Sequence, residues 1–102
     1  MKGEAPSKKV YEDDESVVVE NIYPVAETHL LVIPKKHIAT FMDLESDMDY
    51  LVKVVQKVIT KLGIKNGYKL GINGGKYQSI GHFHIHILAG KLENEDDVFN
   101  KT

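Results

Sequence analysis

Apolar positions recur along this chain with two different periods. Over residues 47–62, Met48, Leu51, Val55, Val58 and Leu62 return every three or four residues, one face of an amphipathic helix. The spacing predicts a helix over Asp47–Leu62. Ser46, with Asp49 three residues on, resembles a capping box, and Gly63 is a natural C′ residue. Elsewhere the period is two or the run is β-branched. Lys8–Asp14 (KKVYEDD) offers a short extended segment, and Asp13-Asp14-Glu15 reads as a solvated turn. Ser16–Glu20 (SVVVE) reads as a strand. Asn21-Ile22-Tyr23-Pro24 breaks it, because proline cannot donate to a ladder. Thr28–Ile33 (THLLVI) is the next strand, closed by Pro34. After the Asn66-Gly67 turn, Tyr68, Leu70 and Ile72 alternate with polar or small residues and predict a strand over Tyr68–Asn73. A polar, glycine-bearing loop, Asn73–Ser79, leads to the last strand, Gly81–Gly90 (GHFHIHILAG). Met1–Ser7 and the acidic tail Glu93–Thr102 have little to bury. Several strands, one long helix and short connections predict an α+β domain with a mainly antiparallel sheet.

The last strand carries the candidate chemistry. Successive side chains on a strand point to opposite faces, so His82, His84 and His86 share one face while Phe83, Ile85 and Ile87 share the other. The apolar face suits a core packed on the helix. Three readings of the imidazole face follow. It is a solvated strand face that happens to carry histidine. It is a metal site, with His29 on another strand as a fourth nitrogen for zinc or copper, although no carboxylate lies within the strand. Or it is a nucleophilic site. Neutral histidine can attack phosphorus near pH 7, and flanking imidazoles can hydrogen-bond the phosphoryl oxygens where charge develops. Ser79 and Asn73 could add neutral donors, and no metal or other cofactor is required, because phosphoryl transfer is mostly positioning and charge stabilisation.

The chain has 102 residues, room for one domain over residues 1–102 and one core. A formal net charge of −2 gives no electrostatic case for nucleic acid or an anionic membrane as partner. No apolar run is long enough to span a bilayer. The absence of cysteine removes thiolate metal sites and disulfides and fits a cytoplasmic location.

Two distant stretches together resemble one family. His82-Phe83-His84-Ile85-His86-Ile87-Leu88 matches the histidine-triad pattern, His-apolar-His-apolar-His-apolar-apolar. Thr28-His29-Leu30-Leu31-Val32-Ile33-Pro34-Lys35-Lys36-His37-Ile38 looks like the family's second signature, and Gly3–Asp14 is similar to its opening segment. The likeness runs over about residues 3–90 and is nearest to the Hint-like branch of purine nucleotide-binding phosphoramidases.

That resemblance implies a five-stranded sheet with one long helix packed on it, the family's N-terminal helix being largely missing. It implies a homodimer, and hydrolysis of nucleoside 5′-monophosphate conjugates through a nucleotidyl-histidine intermediate, with AMP- or GMP-type purine nucleotides as substrate or product. Carried over by position, His84 is the nucleophile, His82 and His86 contact the phosphate, and His29 orients the triad. Asn73, Gln78 and Ser79 fall on the phosphate-binding positions. Asn21 stands where the family has a ribose-binding aspartate, and Ile22 and Val19 would wall the base. His37 is read as a surface histidine. The loop before the triad is short and carries Lys76-Tyr77, and Gly81 replaces a bulky residue. A non-catalytic purine nucleotide-binding module and a histidine-ligated metalloprotein are the alternatives.

Overall fold

The computed structural model describes residues 8–22, 24 and 26–92, with backbone alone for Leu92. The opening residues Gly3–Ser7 and the acidic tail Glu93–Thr102 lie outside the described residues. Five strands and one helix follow in chain order: β1 (Lys9–Glu12), β2 (Ser16–Glu20), β3 (Ala26–Pro34), α1 (Met48–Lys61), β4 (Lys69–Gly71) and β5 (Ile85–Leu92). The strands form one sheet in the order β1-β2-β3-β5-β4, and every neighbouring pair is antiparallel.

Local chemistry sets the turns. Asp13 closes the β1–β2 hairpin, its Oδ1 accepting from the backbone N–H groups of Glu15 and Ser16, each at 2.8 Å. The helix matches its predicted span, with Asp47 and Leu62 as its caps. At its end Gly63 takes φ +66°, while the Gly63 and Ile64 N–H groups donate to Thr60 and Ile59 carbonyls. This is the paired capping that a left-handed C′ glycine permits. The predicted capping box at Ser46 is corrected. Asp47 is the N-cap and makes no side-chain cap bond; its Oδ2 accepts from Glu45 N–H instead. The capping box belongs to Thr40 and Asp43, around a single 3₁₀ turn at Phe41–Asp43.

The two sheet faces differ in what they carry. Val18, Leu30, Val32, Ile85 and Ile87 face α1 and pack with Leu51, Val54, Val55 and Val58. Each fully buried Val or Leu contributes about 1.5–3 kcal/mol relative to exposure. The opposite face carries Val19, Leu31, His29, His84, His86 and Leu88, all buried. The reading of this face as a solvated one is therefore overturned.

The strand bounds shift for physical reasons. β3 is longer than predicted, its Ala26 end pairing with Leu92 across a register shift. That bulge brings Glu27 beside Gly90, whose φ is +79° and whose missing Cβ would collide with the Glu27 carboxylate. Glu27 Oε1 accepts from Lys91 N–H there at 2.9 Å. β5 begins at Ile85 rather than Gly81, because Phe83 N–H turns away to the Ile38 carbonyl at 2.6 Å. β4 is shorter than Tyr68–Asn73, and the predicted loop after it holds a 3₁₀ turn at Gly75–Tyr77.

Candidate active site

Histidines from β3 and β5 meet on the buried face. The register sets Leu31 opposite His86 and His29 opposite Leu88, so His29 sits diagonally across from His86. Their rings touch through nitrogen, His29 Nε2 lying 2.9 Å from His86 Nδ1. His84 lies just before β5, and its ring centroid is 4.9 Å from that of His86, edge to face. Asn21, at the end of β2, completes the row. Its N–H donates to the His29 carbonyl at 2.9 Å, and its Nδ2 lies 3.2 Å from His29 Nε2.

His84 is held in one tautomer by its own strand. Its Nδ1–H donates to the His82 carbonyl at 2.8 Å, which leaves the Nε2 lone pair bare in the neutral ring. That Nε2 is buried and has no hydrogen-bond partner among the described residues. A buried, unsatisfied nitrogen is costly and is a feature of reactive sites.

Burial also keeps these rings neutral. It pushes the His86 pKa down to about 3, with the His84 and His29 charges adding to the effect. Burial likewise takes His29 to about 4, helped by His84. The His84 pKa is lowered, again chiefly by burial; the His82 carbonyl opposes this, and the charge on His82 adds to it. At pH 7 all three are neutral and could serve as nucleophile or proton acceptor.

His82 does not join this cluster through its ring. The backbone has left the β3 ladder here, and His82 Nε2–H donates to the Pro34 carbonyl at 2.9 Å. Its ring stands edge to face with His37, centroids 5.3 Å apart. The five histidines thus divide into a buried trio, His29, His84 and His86, and an outer pair, His37 and His82. His37, read as a surface residue, is exposed yet is the ring neighbour of His82. Continuing the antiparallel pairing of Val32 with Ile85 carries residues 34–37 alongside 80–83, and that pairing is the signal that would have found it.

The loop residues are placed differently from one another. Gln78 Nε2 donates to the Ala39 carbonyl at 2.7 Å and the Ile80 carbonyl at 2.8 Å, so its amide ties the loop down. Asn73 is half-buried and Ser79 exposed. Among the nucleoside candidates, Val19 is buried on the histidine face beside Leu31, and Ile22 is exposed. A hollow of about 570 Å³ opens where Asn21, Pro24, Thr28 and His29 meet Lys8, Lys61 and Leu62. A second hollow of about 330 Å³, lined by Val52, Tyr68, Leu70 and Ile85, lies on the helix side, away from the histidines.

The nitrogens do not converge as metal ligands would. His84 Nδ1 is turned to a carbonyl, and His29 Nε2 is turned to His86 Nδ1. Among the described residues no group of three or more His, Cys, Asp or Glu side chains could hold a metal ion.

Three comparisons relate the chain to known proteins. The HIT domain family model matches residues 2–93. An uncharacterized HIT-like protein of Chlamydia trachomatis is 39% identical over 99 residues, covering 90% of this chain and 88% of the relative. A HIT family hydrolase from Clostridium thermocellum is 35% identical with a TM-score of 0.78, over 85% of this chain and 82% of that one. A histidine triad nucleotide-binding protein from Candida albicans is 34% identical with a TM-score of 0.73, over 84% of this chain and 67% of that one. On the match of the family model over most of its length and the identity of its relatives, the chain belongs to the HIT, or histidine-triad, family.

Proposed function

We propose that this protein is a nucleotide-binding hydrolase or transferase that acts on the α-phosphate of nucleoside 5′-monophosphate conjugates through a nucleotidyl-histidine intermediate. The observation that carries this reading is His84: its Nδ1–H is anchored on a carbonyl, its Nε2 is bare, and its ring is neutral at pH 7. A neutral imidazole with a fixed tautomer is a competent nucleophile without a metal. The hydrolase and nucleotide-binding relatives support the same class of chemistry.

In this mechanism His84 Nε2 attacks the α-phosphorus and the bond to the leaving group breaks. Water then attacks the same phosphorus, and the bond to His84 breaks, returning the lone pair to Nε2 and releasing the nucleoside monophosphate. His86 attends the phosphoryl oxygens, His82 serves through the carbonyl that holds the His84 ring, and Asn73 and Ser79 add neutral donors from the loop. Gln78 serves by holding that loop. Val19 and Ile22 would wall a purine. The whole chain would act as one HIT-like domain, and as a homodimer in the cytoplasm. Edge strand β4 and the exposed apolar residues Val52, Tyr68 and Leu70 support a second copy docking there.

The test is His84→Ala assayed on an adenosine phosphoramidate. Turnover should fall by roughly a thousandfold or more with the fold intact by circular dichroism. Turnover at the wild-type level would refute the role given to His84.

A further inference from the structure

The segment after β3 and the segment before β5 leave the ladder together, and other contacts take over the pairing. Phe83 N–H donates to the Ile38 carbonyl at 2.6 Å, His82 Nε2–H to the Pro34 carbonyl at 2.9 Å, and Gln78 Nε2 to the Ala39 carbonyl at 2.7 Å. Ile38 and Phe83 are buried in the core, 2% and 1% exposed. Their chain neighbours, exposed His37 and half-buried His82, meet ring to ring, centroids 5.3 Å apart at an interplanar angle of 84°. We propose that His37 is a positioning residue for the nucleophile: its ring pins the His82 ring, and so steadies the carbonyl that keeps the His84 proton on Nδ1.

One peptide links these holds to the nucleophile. The His82 carbonyl and the Phe83 N–H belong to the same planar trans unit, so they point in opposite directions. The bond to Ile38 aims the N–H to one side, and the carbonyl is thereby aimed to the other. There it accepts from His84 Nδ1 at 2.8 Å. A carbonyl only accepts, so Nδ1 carries the proton and the neutral ring keeps its lone pair on Nε2. A single hydrogen bond leaves this peptide free to rock about the N–H···O axis. The second hold is the His82 side chain, tied through one nitrogen to Pro34. A ring tied at one point can turn about it, and the His37 ring, edge to face against it, opposes that turn.

His37 is exposed and gains little from burial, so its effect passes through this contact. The bonds to Ile38, Pro34 and Ala39 join the two segments without it, and the fold should survive its loss. The consequence for reaction rests on the function proposed above. A His84 ring with its proton on Nε2 has no lone pair there and cannot attack phosphorus. Loss of His37 therefore lowers kcat, while KM, which does not depend on that lone pair, is held.

Imidazole ¹⁵N NMR of the full ligand-free chain reads the His84 tautomer without reference to activity, and circular dichroism checks that each variant folds. The expected wild-type signal is Nδ1–H with a bare Nε2. His37→Ala should move a measurable share of His84 to Nε2–H. His37→Phe, which restores a ring without ring nitrogens, should return the wild-type pattern. An Nε2–H tautomer in the wild type, an unmoved tautomer in His37→Ala, or an equal shift in His37→Phe overturns the proposal. On an adenosine phosphoramidate, His37→Ala should lose about two- to tenfold in kcat with KM held, the worth of one edge-to-face ring pair. A raised KM with kcat unchanged would put His37 in substrate binding and overturn the positioning role. A tautomer that shifts in His37→Ala and returns in His37→Phe upholds that role even where no conjugate is turned over, and such inactivity would count against the proposed function instead.

Discussion

His29 Nε2 and His86 Nδ1 lie 2.9 Å apart, with both rings buried among Leu31, Leu88 and Val19. Their pKa values in the fold, about 4 and about 3, are far below the 6.5 of a free imidazole. As pH falls through 6.5 the unfolded chain binds protons there and the native chain does not, so stability rises with pH across this window. It should fall by about 1.4 kcal/mol per pH unit below 6.5 for each histidine that stays neutral. Urea titrations at pH 7.5 and pH 5 check this, since most carboxylates titrate lower. Equal stability at the two values would contradict the burial of neutral histidine.

Gln78 ties the loop carrying Ser79 to the segment after β3 through the Ala39 carbonyl and braces the loop itself through the Ile80 carbonyl. Gln78→Ala leaves both carbonyls without this donor, at a cost of about 1–3 kcal/mol. The melting temperature should fall by about 4–8 °C for each kcal/mol lost. KM should rise more than kcat falls, since in the proposed mechanism the loop holds the phosphate and does not attack. A variant with unchanged melting temperature and unchanged KM would show that the clamp is idle.

Leu70 and Tyr68 are exposed at the open edge of the sheet, beside Val52 of α1. Light scattering at micromolar concentration should report a dimer for the wild type. Leu70→Lys should shift it toward monomer, because a charge would be buried without a partner. A wild-type monomer would contradict docking at this edge.

Much of this molecule can be read from neighbouring residues. The helix shows in the three- and four-residue spacing of Met48, Leu51, Val55 and Val58, and its end in Gly63, because both signals are local. Strand Ser16–Glu20 shows in a β-branched run between an acidic turn and a proline. The shared face of His84 and His86 follows from alternation alone. What stays hidden depends on distant backbone. His82 leaves the row because Phe83 N–H finds the Ile38 carbonyl. Gln78 is a clamp because the Ala39 carbonyl lies across from it. Ser46 and Asp49 have the capping-box spacing where the long helix starts, but Thr40 and Asp43 form the box around a short 3₁₀ turn. The contact of Asn21 with His29 crosses from the end of β2 to β3, and no periodic pattern links the two.

The central claim is that His84 Nε2 becomes bonded to phosphorus during turnover. Rapid acid-free quenching after mixing with an adenylate conjugate, followed by peptide mass spectrometry, tests it most directly. The expected result is a nucleoside monophosphate adduct on His84 that forms and decays at rates compatible with kcat, and that is absent from His84→Ala. Steady turnover with no adduct on His84, or an adduct carried by another histidine, would contradict it.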